Sequence, residues 1–130
     1  MQLDKELFDK VANEALNSPR LRKAFDLRDS LDENLQRMLN VLLPGSKTQI
    51  HRHISTSEVV VCIYGSVIER LYDENGNEDR CVFLKAGSDI VGYWIPIGQY
   101  HSLEAADETA VVLSVKAGTY SESSSEVFNI

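Results

Sequence analysis

Cysteine is scarce in this sequence: Cys62 and Cys81 are the only two in 130 residues, and they form no C-x-x-C pair. Two thiols cannot make the framework of a disulfide-stapled domain, so both are expected as reduced core thiols, with a working thiol close to Glu58 as the alternative role for Cys62. Long apolar runs are missing too. No stretch approaches the roughly 20 residues that cross a bilayer, and no charged-then-apolar leader follows Met1, so the expectation is a cytoplasmic protein with no membrane role. Basic charge is in deficit, with 13 Lys and Arg against 20 Asp and Glu and a formal net charge of −7. Such a chain repels a phosphate backbone unless a local patch overrides the field. The densest basic cluster, Arg20, Arg22 and Lys23, is followed by Asp26 and Asp29 and reads as a solvated face, so nucleic acid is not an expected partner.

What is present suits one globular domain: 43% hydrophobic and 25% charged residues at a length that builds a single core. Leu3, Leu7, Val11 and Ala15 recur at four-residue steps beside Phe8, Ala12 and Leu16, with Asp4, Lys5, Asp9, Lys10 and Glu14 on the other face, which predicts an amphipathic helix. Asn17-Ser18-Pro19 ends it. Because Ser18-Pro19 is also helix-start chemistry, a second, shorter helix is expected over residues 19–26, and the capping-box pattern Ser30-Leu31-Asp32-Glu33 predicts one more helical turn. From about Gln36 onward the pattern turns to β. Strands are expected up to Pro44-Gly45 and then over residues 59–64, 67–72, 81–84, 90–95, 102–105 and 110–115, with a hairpin at Asn75-Gly76. Residues 121–126 read as a serine-rich acidic strand exit or loose end, whose tip Val127, Phe128 and Ile130 dock.

The chemistry concentrates on three histidines. His51 and His53 are two apart, so on a strand both imidazoles share one face while Arg52 points the other way. Glu58 opens the following strand, where it can bring a carboxylate to the same space. His101 follows the turn Pro96-Ile97-Gly98-Gln99-Tyr100, which returns the chain to the sheet. A lone imidazole on an apolar strand is ordinarily a hydrogen-bonded core residue. Burying three of them with a carboxylate costs a few kcal/mol per unpaired group, roughly, and a divalent ion offsets that cost in one step.

These residues carry a resemblance. Gly45, five residues, His51-Arg52-His53, four residues, Glu58, six residues and Gly65 look like the first cupin motif, and Pro96-Ile97-Gly98-Gln99-Tyr100-His101 resembles the core of the second. The second motif's leading glycine is displaced, and Ala105 stands where many cupins have asparagine. More narrowly the chain resembles the WbuC-type cupin metalloproteins, through Ser18-Pro19-Arg20, Gln36-Arg37-Met38-Leu39, Pro44-Gly45, the histidine motif, Ile95-Pro96, Gly98 and Lys116-Ala117-Gly118-Thr119-Tyr120. It departs from that family at Asp26-Leu27-Arg28, which lacks a histidine, and at Ser114, where glutamate is expected. The resemblance implies a mainly β fold, a small jelly-roll β-barrel with short N-terminal helices. Residues 1–34 are then a helical segment packing on the barrel, 35–120 the barrel and 121–130 a C-terminal tail. It further implies a metal held by His51, His53, Glu58 and His101, a link to surface polysaccharide synthesis, and a homodimer formed through barrel edges, with cover of those edges by the N-terminal helices as the alternative.

Three imidazoles and one carboxylate suit one divalent transition metal, whether zinc, iron, nickel, cobalt or manganese, and in an octahedral setting leave two positions open. Three functions fit. The ion acts as Lewis acid on a small oxygen-rich metabolite in a sugar isomerase- or epimerase-like reaction, it supports a dioxygenase-type oxidation, or it anchors a ligand without catalysis. Gln49 shares the strand face of His51 and is a candidate lining residue. Tyr93, Trp94 and Tyr100 are candidates for an aromatic wall, with core packing the ordinary alternative, and Arg37 and Arg70 are expected in surface salt bridges.

Overall fold

The computed structural model describes residues 1–120 and 125–129, so part of the expected tail lies outside the described residues. The order of elements is α1 (Lys5–Ala15), β1 (Arg22–Asp26), β2 (Leu35–Leu42), β3 (His51–His53), β4 (Glu58–Tyr64), β5 (Ser66–Tyr72), β6 (Glu78–Lys85), β7 (Gly92–Ile95), β8 (Tyr100–Ala105), β9 (Ala110–Ala117) and β10 (Ser125–Val127). β2 pairs with β9, β3 with β8, β4 with β7 and β5 with β6, each antiparallel. Nested pairing of this kind is one long hairpin rolled on itself. The further pairings of β4 with β9 and β5 with β8 stitch it into two sheets, β1-β2-β9-β4-β7 and β10-β3-β8-β5-β6. This is a small jelly-roll β-sandwich.

Local chemistry explains the elements. Asp4 caps α1 by accepting a hydrogen bond from the Leu7 amide at 3.1 Å, and Phe8, Val11 and Ala15 form the buried stripe. That stripe packs against Leu39, Val41 and Val111 on the outer face of the first sheet. The β5–β6 hairpin turns at Gly76, with Asp73 and Asn77 bonded across the turn. The β4–β5 connection needs Gly65: its φ is +69°, and a Cβ there would sit 2.5 Å from the Thr109 carbonyl oxygen.

Several expectations are corrected. Residues 22–26 are not a helix but β1, paired to β2 with Arg22 opposite Leu42 and Asp26 opposite Met38. The free edge of β2 offers backbone partners along this whole segment, and that tertiary pairing overrides the helical signal. Ser30 to Glu33 make a turn, in which Glu33 accepts from the Asp29 amide, without starting a helix. At the C-terminal end, residues 125–127 are β10, bonded to β3, and the Phe128 ring packs edge-on to Tyr100 at 5.3 Å. Cys62 is buried and free as expected. Cys81 is free but exposed, because alternation along β6 buries Val82 and Leu84 and turns its neighbours outward. Among the described residues no helix is long and apolar enough to cross a membrane.

Polarity changes along the inner faces of the strands, and this positions the site. Cys62, Val60, Val112, Ala110 and Leu42 belong to the apolar core between the sheets. Continuing inward-facing along the same strands, β4 reaches Glu58, β9 reaches Ser114 and Lys116, and β2 reaches Asn40 and Gln36. One end of the sandwich interior is therefore oily, and the other is a polar cavity.

Candidate metal centre

The cavity has a volume of about 330 Å³. His51 and His53 on β3 and His101 on β8 reach it from one sheet, and Glu58 on β4 reaches it from the other. His51 and His101 are direct cross-strand partners, which brings their rings to 4.3 Å between centroids. The ligand-capable atoms of the three histidines all lie within 4.8 Å of one another. Glu58 Oε1 is 3.5 Å from His53 Nε2 and 3.6 Å from His101 Nε2, while Oε2 is 3.7 Å from Lys116 Nζ. All four side chains singled out in the sequence thus meet across the sandwich. An ion with bonds of roughly 2.0–2.2 Å spans donors about 3–4 Å apart, so small side-chain adjustments close the set around a cation.

Hydrogen bonds on the far side of the rings decide which nitrogens face the centre. His51 Nδ1 lies 2.7 Å from the Gln49 carbonyl, which only accepts, so Nδ1 carries the proton and Nε2 keeps its lone pair. His101 Nδ1 lies 2.6 Å from Glu69 Oε1. His101 Nε2 is buried without a hydrogen-bond partner among the described residues, as is Glu69 Oε2. An orphaned, inward-facing ring nitrogen is what a metal ligand looks like before its metal binds. The donor set fits a divalent transition metal.

The electrostatics agree. Burial, reinforced by the neighbouring imidazoles, lowers His51 to about 4, so its ring is neutral and available near neutral pH. His101 is likewise held at about 4, by burial foremost. For Glu58 burial pushes upward, but the hydrogen bond with His53 and the charge of Lys116 prevail and hold the carboxyl at about 2. Glu69 goes the other way. Completely buried and facing the charge of Glu58, it is pushed up to about 9.

Glu69 is the residue that sequence reading missed. It stands diagonally across from His101 in the β5–β8 pairing, where Leu71 is opposite His101 and Glu69 opposite Leu103. The signal was available: in Val67-x-Glu69-x-Leu71 a carboxylate occupies an inward position between two buried apolar residues. Other candidates fall outside the centre. Gln49 is exposed and contributes only its carbonyl. Trp94 is 63% exposed, Arg52 stacks over Tyr100 at 4.6 Å and Arg80 over Tyr93 at 5.9 Å, so no aromatic wall lines the cavity from these residues. Cys62 belongs to the apolar core, where burial raises its thiol, and it is not a lining residue. Arg37 bonds Glu33, and Arg70 bonds Glu78 and Glu104, as expected of surface pairs.

No curated protein matches the chain in sequence. Among solved structures, oxalate decarboxylase from Bacillus subtilis is 28% identical with a TM-score of 0.63, over 82% of this chain and 27% of its own. Oxalate oxidase in complex with the substrate analogue glycolate is 15% identical with a TM-score of 0.67, over 85% of this chain and 57% of its own. TT1209 from Thermus thermophilus is 20% identical with a TM-score of 0.66, over 92% of this chain and 99% of its own. The chain thus spans about a quarter of the decarboxylase and little more than half of the oxidase. The fold they share with it is the cupin fold. A family model described as a domain of unknown function, DUF6016, matches residues 3–84, more than half of the chain, and the chain belongs to that family.

Proposed function

We propose that the chain is a WbuC-type cupin metalloprotein that holds one divalent transition metal through His51, His53, Glu58 and His101 and acts on a small oxygen-rich metabolite, in the setting of surface polysaccharide synthesis. The observation that carries this reading is the buried Nε2 of His101, which makes no hydrogen bond among the described residues and faces the same cavity as two further imidazoles and Glu58. When bound, the ion would supply a Lewis acid for isomerisation, epimerisation or hydrolysis. The chain's own part is positional. Gln49 fixes the tautomer and tilt of His51, Glu69 holds the His101 ring in place through Nδ1, and Lys116 balances the charge of Glu58. The apolar floor of Leu42, Val60 and Val112 limits how deep water and ligand go.

The test is metal analysis of protein purified anaerobically without chelator, joined to turnover assays on sugar nucleotides. One ion per chain and activity that disappears in His53→Ala support the reading. Ferrous iron with ligand-dependent spectra and no sugar turnover would replace it with a dioxygenase-type oxidation, and zinc without turnover would replace it with ligand binding alone. The reading also includes a homodimer, supported by the exposed apolar pair Val59 and Trp94, which face each other across β4 and β7. Light scattering at micromolar concentration tests this, and a mass of one chain removes it. The two free thiols suit a reducing cytoplasm.

A further inference from the structure

The three histidines line the cavity from one sheet and Glu58 from the other, and part of the basic cluster that reads in sequence as a solvated face borders the same cavity. Arg20, Arg22 and Arg28 from the N-terminal arm line the same cavity as the histidines. Arg28 is neutralised by Asp26 at 2.7 Å. Among the described residues no ion pair involves Arg20 or Arg22. Arg22 is half-buried, and what bears on it is desolvation and the like charge of Arg20, both of which lower its hold on its proton. In a chain of net charge −7, two adjacent guanidiniums without counter-ions are an unmet electrostatic demand.

The backbone is built to present them. Leu21, between the two arginines, has φ +55°, the only non-glycine residue with positive φ among those described. A bulky side chain in that region costs of order 1–2 kcal/mol and persists only where the surroundings over-determine it. Here they do. The Leu21 amide donates to the Ser18 carbonyl, the Leu43 amide donates to the Leu21 carbonyl, and the buried Ser46 hydroxyl donates to the Arg20 carbonyl at 2.9 Å. Arg20 and Arg22 also border the adjoining open groove with Lys47, so the cavity's approach is electropositive as well.

We infer that Arg20 and Arg22 form an anion-recognising rim, so that the molecule entering the cavity is a small oxyanion, a carboxylate or a phosphate ester, with its charged group against the two guanidiniums. Guanidinium forks match the paired oxygens of either group. A cavity of about 330 Å³ is of a size for a small metabolite. The inference rests on the proposed metal-centre reading for where the remainder of the ligand points, and on the arginines' own placement for the charge.

Calorimetric titration with malonate and with inorganic phosphate, at about 0.15 M ionic strength to screen loose surface attraction, tests it. Uncharged malonamide is the control, and metal uptake is measured separately on the same samples. Expected is binding of at least one anion, weakened about 10- to 100-fold in Arg20→Gln/Arg22→Gln, with metal uptake unchanged. Which of the two anions binds more tightly assigns the oxyanion. No anion binding by the wild type, equal binding by the double variant, or equal binding of malonamide would overturn the inference. Should the double variant unfold, Arg20→Gln alone carries the test, since that side chain is exposed. A protein that takes up no metal yet loses anion affinity in the variants would uphold the arginine rim and defeat the metal reading.

Discussion

Replacing Glu69 by glutamine separates its two effects. In the metal-free protein its carboxyl is pushed up to about 9 from an ordinary 4.5, so between these values the native state keeps a proton that the unfolded chain releases. Stability contributed by this group is complete below about 4.5 and is lost as pH rises towards 9. One proton retained on folding corresponds to about 1.4 kcal/mol per pH unit. The stability of Glu69→Gln relative to wild type should therefore climb by about 1.4 kcal/mol per unit from pH ~5 to ~8. Any constant penalty for the amide's unsatisfied N–H groups, of about 1–3 kcal/mol, shifts the line without changing its slope. With metal present the variant should lose, because a cation on His101 Nε2 favours an ionised Glu69 that accepts from Nδ1, which an amide matches poorly, and affinity should fall roughly 10- to 100-fold. Urea unfolding of chelator-treated protein across that pH range, paired with metal titration, reads both. Parallel pH profiles for the two proteins, or an unchanged metal affinity, would refute the reasoning.

Other consequences are simpler. His51 and His101, both held at about 4 against an ordinary 6.5, contribute stability that is full above about 6.5 and is lost as pH falls towards 4; histidine NMR titration of the metal-free protein should find both rings neutral at pH ~6. Gly65→Ala should destabilise by about 2 kcal/mol or more, since a Cβ would meet the Thr109 carbonyl at 2.5 Å on a left-handed backbone, and chemical denaturation measures it. Leu39→Ala empties a fully buried position under α1 and should cost about 3–5 kcal/mol by the same assay, with metal uptake retained.

The strands and the four convergent side chains were legible because their signals are local. A two-residue spacing puts His51 and His53 on one face whatever the strand pairs with, and Asn75-Gly76 makes its hairpin from its own backbone preferences. What escaped depends on partners distant in sequence. Leu21 and Phe25 sit four apart as in a helix, yet the edge of β2 recruits the segment as β1, and the left-handed Leu21 breaks any helix at its start. β10 pairs through backbone groups with β3, which a serine-rich sequence does not advertise. Asp26 and Asp29, which follow Arg20 and Arg22 in sequence, pair instead with Arg28 and Arg37, so the cavity-lining role of the two arginines is not written in their neighbours.

The most direct measurement is an anomalous-scattering map of crystals grown with cobalt or zinc. A single strong peak should lie within about 2.0–2.3 Å of a ring nitrogen from each of His51, His53 and His101 and of a Glu58 oxygen. A map with no peak there, or with metal only on surface carboxylates, would contradict the account.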